Sequence, residues 1–203
     1  MAEGKRKRGK SGPAQGLGKS TAGLPWKYAV YAVAAGLLAW AGYSYFASQN
    51  QASAFAVLAK QGQAALARVV VRESEGRTHL RAGQGISYRA NPPTSGPHYP
   101  VWVNPGFYGS AKSRSNLVHS MEHGMVVIHY DTPGDDAMAT IRQWTGLFSG
   151  PWSGIVTVRR IGLGEKFILT AWRRILRLDR FEEKPAAAFI DAYRGRGPEK
   201  PVR

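Results

Sequence analysis

The stretch MVVIHYDTPGDDAMATIRQWTGLFSGPWSGIVTVRRIGLGEKFILTAW, residues 125–172, decides the fold. Its opening run, MVVIHY, is too short for a buried helix and rich in β-branched side chains, so it reads as an interior strand. Pro133 and Gly134 end that strand. Asp135 and Asp136 then open a helix, where negative charge favours the N-terminal end of the dipole, and Met138, Ile141, Trp144 and Phe148 share one of its faces. Gly150-Pro151 stops it. Residues 155–161 and 167–172 read as two further strands joined by a Gly-rich turn at 162–165. Farther on, Pro185 starts a last helix through Phe189 and Tyr193, ended at Gly195. The expectation is an α/β fold, a compact mixed sheet with a β-α-β-β-α core. The strand-helix-strand unit predicts a parallel pair, and the short turn predicts an antiparallel third strand.

Just before this stretch lies the chemistry. Four of the five histidines fall within residues 91–130, where a proline-braced loop, NPPTSGPHYP, leads to HSMEHG and then to the first strand. Ser115-Asn116 can cap a short helix running through His123, with Gly124 in the left-handed position that ends it. On such a helix His119 and His123 stand at i and i+4, about 6 Å apart and able to share an ion; on a strand they would be about 13 Å apart and could not. A third ligand is His98, on a loop whose freedom Pro92, Pro93, Pro97 and Pro100 restrict. Glu122 fits the role of a carboxylate that orients an imidazole. His129, inside a core strand, is a further candidate, and Met121 and Met125 would add soft ligands favouring copper(I).

Three readings of these residues stay open. The first is a transition-metal site, for copper or zinc, built on His98, His119 and His123. The second is a non-catalytic, membrane-tethered interaction module whose histidines are structural, with Trp102, Tyr99 and Tyr108 packing the loop onto the core. The third takes His119 to His123 as H-x-x-E-H, a zinc hydrolase motif with Glu122 as general base, although such motifs sit on a long helix with a distant acidic ligand.

The rest of the chain sets the compartment. Of 203 residues carrying a formal charge of +15, residues 1–27 hold seven Lys or Arg against Glu3 alone, a disordered basic tail. Residues 28–48 carry no charge and have Trp26, Tyr28, Tyr43 and Tyr45 near their ends, matching the roughly 20 residues of a transmembrane helix. The basic residues precede it, so the tail is expected in the cytoplasm and the rest outside the cytoplasmic membrane, in the periplasm or beyond, as a single-pass, N-in protein. Ala52-Ser53-Ala54 resembles a signal cleavage site, but an apolar core of this length exceeds the 7–15 residues of a signal peptide, which favours an uncleaved anchor. Residues 49–78 are Ala- and Gln-rich, with Phe55, Leu58, Ala65 and Val69 at mostly helical spacing, a helical stalk; residues 79–203 form the outer α/β domain.

Composition also narrows the partners. With no cysteine, neither disulfides nor thiol redox chemistry is available. Gly16-Leu17-Gly18-Lys19-Ser20-Thr21 imitates the end of a phosphate-binding loop, but Pro13 stands where Gly is needed and no strand precedes it, so nucleotide is not expected. Nucleic acid is not expected either, since a tail tethered beside anionic headgroups accounts for the charge. The outer portion keeps 21 basic against 12 acidic residues, including Arg173, Arg174, Arg177 and Arg180. That surplus suits a lipid bilayer or a membrane protein partner.

Four blocks, NPPTSGPHYP, VHSMEHGMVVIHY, LTAWRRILRLD and FIDAYRGRGPE, resemble in order those of the bacterial family called domain of unknown function 3105, over residues 86–199. The resemblance implies an extracytoplasmic domain behind one N-terminal membrane segment, and no established activity. It draws attention to Asn91, Pro93, Ser95, Gly96, His98, His119, Glu122, His123 and Gly124. The family pattern has leucine and a small residue where this chain has Met121 and Met125.

Overall fold

The computed structural model of the chain describes Met1 and residues 26–203. The basic tail expected over residues 1–27, and with it Gly16 to Thr21, lies outside the described residues, apart from Met1, Trp26 and Lys27. The chain divides into two units, one ending at Ser44 and one running from Tyr45 to Arg203.

Helix α1, Trp26–Gln61, is a single run of 36 residues. It is long and apolar enough to cross a membrane. In its first part Val30, Val33, Leu37, Leu38 and Trp40 are exposed. Farther along, Phe55 and Ala59 are buried in the core of the second unit, where the Phe55 ring meets Trp144 and Phe148 edge-on at 5.3 and 4.8 Å. Within residues 49–78 the helix is followed by a 3-10 turn, Gln63–Arg68, and a short strand β1, Val70–Val71.

The second unit is built on a six-stranded mixed sheet. After β1 come β2 (Gly106–Tyr108), β3 (Val126–Tyr130), β4 (Ile155–Arg159), β5 (Phe167–Ala171) and β6 (Arg174–Leu178), in spatial order β1-β6-β5-β3-β4-β2. Helix α2 is Arg114–Glu122, α3 is Asp135–Leu147 and α4 is Glu183–Tyr193. The expected parallel pair is β3 with β4, joined through α3.

The sheet departs from the sequence expectation first in where β5 lies. β5 is antiparallel, but it lies beside β3 and not beside β4. The outer edge of β4 is already taken by β2, paired in parallel with Gly106 opposite Val156. The chain leaving β4 therefore turns back over the end of β3. Asp131 holds this turn by accepting the amides of Gly162 at 2.8 Å and Gly164 at 3.3 Å, and Thr132 N–H donates to the Gly164 carbonyl. β6 has no counterpart in the expectation. Its arginines read as a solvated face, whereas Leu176 and Leu178 are buried, and the turn before it uses Arg173 at φ +60° where no glycine advertises it.

Alternation along the strands sorts side chains onto two faces. On one, Val126, Ile128 and Tyr130 of β3 and Phe167 and Leu169 of β5 pack under Ile141 and Trp144 of α3 and Phe189 and Ile190 of α4. On the other, Val127, Val156 and Val158 are covered by Leu117, Val118 and Met121 of α2, with Met125 and Val103. The second face carries the histidines.

Candidate metal centre

Helix α2 supplies three of the polar groups. It runs to Glu122 with His123 as its cap, and Gly124 ends it at φ +100°. A Cβ at Gly124 would stand 2.8 Å from the Trp152 carbonyl oxygen and 2.9 Å from the Gly197 nitrogen, so both conformation and space call for glycine. The rings of His119 and His123 lie 4.7 Å apart between centroids, as i, i+4 spacing requires.

The proline loop brings His98 to this helix. Its backbone is bridged to that of residues 78–80: His98 N–H donates to the Thr78 carbonyl at 3.0 Å, and Leu80 N–H to the His98 carbonyl at 2.8 Å. The bridge also delivers His79, the one histidine outside residues 91–130. Two helix hydroxyls hold the chain beyond His98 against α2: Ser115 Oγ accepts the Tyr99 amide at 2.7 Å, and Ser120 Oγ donates to the Val103 carbonyl at 2.9 Å.

His79, His98, His119 and Glu122 offer four ligand atoms that lie within 4.8 Å of one another. Glu122 Oε2 is 2.9 Å from His98 Nε2 and 3.5 Å from His79 Nε2. His98 is fully buried, and its Nδ1 is 2.8 Å from the Gly96 carbonyl oxygen, so both of its ring nitrogens face acceptors. A neutral imidazole has one N–H. With that hydrogen donated to Gly96, the short contact to Glu122 needs a proton or a metal ion between the two. His119 is set in the same way: Nδ1 donates to the Tyr99 carbonyl at 3.0 Å, leaving Nε2 as a lone pair. Burial lowers the pKa of His119 more than this hydrogen bond raises it, so the ring is neutral at pH 7. An imidazole held by a backbone carbonyl with the opposite nitrogen free is the posture of a metal ligand. This group could hold a metal ion.

A second group shares His119. His119, His123 and Glu199 also offer ligand atoms within 4.8 Å, and His123 Nε2 lies 3.1 Å from Glu199 Oε2. The His123 ring is stacked on Trp152 at 4.2 Å, with Trp102 at 4.7 Å, and burial lowers its pKa against the opposing influence of Glu199 and Glu122. Its Nδ1 is buried and has no hydrogen-bond partner among the described residues. Glu199 comes from far along the chain, carried by a segment whose glycines lie against the end of α2. Gly195 N–H donates to the Gly124 carbonyl at 2.8 Å, and a Cβ at Gly197 would stand 2.2 Å from the Glu122 carbonyl oxygen. Two histidines four apart plus a distant carboxylate is the ligand composition of H-x-x-E-H zinc sites. Glu122, the general base of such a motif, has its Oε2 engaged by His98 instead.

Sequence reasoning thus placed His98, His119, Glu122 and His123 in one neighbourhood, which the structure assembles, and missed His79 and Glu199. The signal for Glu199 was the G-x-G spacing of Gly195 and Gly197 after a helix, which lets two backbones touch. The other three named residues lie elsewhere. Met121 and Met125 are fully buried in the hydrophobic layer with Leu117, Val127 and Val156, and His129 is in neither group, lining a cavity together with Met121.

Fold and site together define a class: a mixed α/β domain with a histidine-carboxylate cluster on one sheet face, in a chain that carries a long apolar helix before it. The chain belongs to the family described as protein of unknown function (DUF3105), whose model matches residues 79–203. Both groups lie wholly within that match, which starts at His79. No curated protein and no solved structure matches the chain.

Proposed function

We propose that this is a membrane-anchored domain that binds one divalent transition-metal ion, zinc or copper(II), through His79, His98, His119 and Glu122, outside the cytoplasmic membrane. The observation that carries the reading is the pair of imidazoles, His98 and His119, each held through Nδ1 at a backbone carbonyl, with His98 Nε2 turned onto Glu122 Oε2 and the Nε2 lone pair of His119 open to a ligand. Three imidazoles and a carboxylate suit zinc or copper(II). Copper(I) loses its rationale, because the methionines that argued for it belong to the core. His119 is common to both groups and keeps one free nitrogen, so His123 and Glu199 complete or exchange the set around a single ion rather than building a second centre.

Full-length protein purified in detergent without a histidine tag, dialysed against zinc or copper and measured by elemental mass spectrometry, should hold about one equivalent. The His98→Gln/His119→Gln double variant should hold none. Stoichiometric metal in that folded variant would sink the proposal.

A second reading has its own observation. His98 is sealed from solvent and both its nitrogens find acceptors inside the chain, which suits a buried, hydrogen-bonded histidine-glutamate pair in a non-catalytic interaction module. Under that reading metal leaves the melting temperature unchanged, whereas binding at a hundredfold excess over Kd would stabilise by about 2.7 kcal/mol. Hydrolysis has less support, because Glu122 faces His98 and not an open position beside His123.

A further inference from the structure

A cavity of about 240 Å³ lies between the proline loop, α2 and the end of β4. Pro93, Leu117, Met121 and Val158 give it an apolar lining, and Ile161, 84% exposed, stands at its rim. Four cations surround it: Lys112, Arg114, Arg159 and Arg160. Among the described residues only Arg159 of these meets a carboxylate, Asp131 at 3.3 Å. Arg160 donates to the Asn91 side-chain oxygen at 2.8 Å, and Lys112 lies over the Tyr108 ring at 4.2 Å. Burial and then the neighbouring Arg177 and Arg114 lower the Arg160 pKa, with no acid acting the other way. His129 on the cavity wall is held neutral.

Such an arrangement is costly without an occupant, since like charges are gathered around a surface that repels water. We propose that this cavity binds a single-chain anionic amphiphile, its alkyl chain inside against Leu117, Met121 and Val158 and its carboxylate or phosphate at the rim on Arg114 and Arg160. At about 240 Å³ the cavity suits a short alkyl chain, and octyl compounds are the probes of choice. The occupant is not the metal, and the site stands or falls independently of the histidine cluster.

The test uses full-length protein in nanodiscs, titrated calorimetrically with octanoate, octyl phosphate, octanol and inorganic phosphate, with the heats of empty nanodiscs subtracted. Octanoate or octyl phosphate should saturate one site, and which of the two binds tighter identifies a fatty acid or a phosphate-headed lipid as the source. Affinity should rise about fourfold per added CH₂ from butanoate to octanoate and then level off. Arg114→Gln/Arg160→Gln should weaken octanoate about tenfold while leaving octanol unchanged. Ala111→Trp, a substitution at the exposed rim that leaves the core alone, should abolish binding. Inorganic phosphate binding as tightly as octyl phosphate, octanol as tightly as octanoate, or equal affinity in wild type and Ala111→Trp would each overturn the proposal.

Discussion

At the scale of single residues, the 2.9 Å contact between His98 Nε2 and Glu122 Oε2 concentrates the question of function, because something positive must lie between them. If it is a metal ion, Glu122→Gln keeps the shape but removes the charge, and chelator competition should show metal affinity reduced about a hundredfold. An unchanged affinity would take Glu122 out of the ligand set. His129 bears on stability instead. Burial, then the charges of Arg160 and Arg177, push its pKa from 6.5 down to about 3. Between those values the unfolded chain binds a proton that the native chain does not, so stability is full above pH 6.5 and falls as pH drops below it, by up to about 1.4 kcal/mol per pH unit. His119 and His123 shift in the same direction and add to the slope. Urea unfolding at pH 6.5, 5.8 and 5.0 should show this loss of stability, and His129→Gln should flatten part of it; an identical slope in the variant would mean that His129 titrates normally.

Among the elements, the end of α2 depends on a partner more than 70 residues away in the chain. Gly197 lies so close to the Glu122 carbonyl and the Gly124 nitrogen that any Cβ must push the two backbones apart. Gly197→Ala should therefore cost about 1–3 kcal/mol in denaturant unfolding and draw Glu199 away from His123. Wild-type stability in the variant would mean that the segment is not docked as described. This contact also marks where the sequence stopped being readable. The i, i+4 relation of His119 and His123 is local, fixed by helical period once Gly124 supplies the stop, and the β3-α3-β4 unit arises from patterns within a few dozen residues. His79 and Glu199 reach the cluster only through backbone contacts between distant segments, and neither stands in a periodic run. The placement of β5 was hidden for a related reason: its neighbour was decided by β2, three residues that no pattern marks, occupying the edge of β4.

For the whole molecule, one property of the composition turns into an experimental handle. The absence of cysteine means that a single introduced thiol reports its own position without background. The apolar first part of α1 and the basic residues before it favour the proposed topology, an uncleaved anchor with the histidine-carboxylate cluster outside the cytoplasm, where ligands that are imidazole and carboxylate, not thiolate, survive an oxidising compartment. Ser110→Cys, at an exposed site of the second unit, should react with a membrane-impermeant maleimide in intact spheroplasts of a bacterial host. Ser11→Cys, in the basic tail, should react only after lysis, and both variants should remain in the membrane fraction after carbonate extraction. Labelling of Ser11→Cys but not Ser110→Cys before lysis would reverse the orientation. The cluster would then face cytosolic metal pools, where thiol buffers compete for the ion and a histidine-carboxylate set would have to bind far more tightly to be filled.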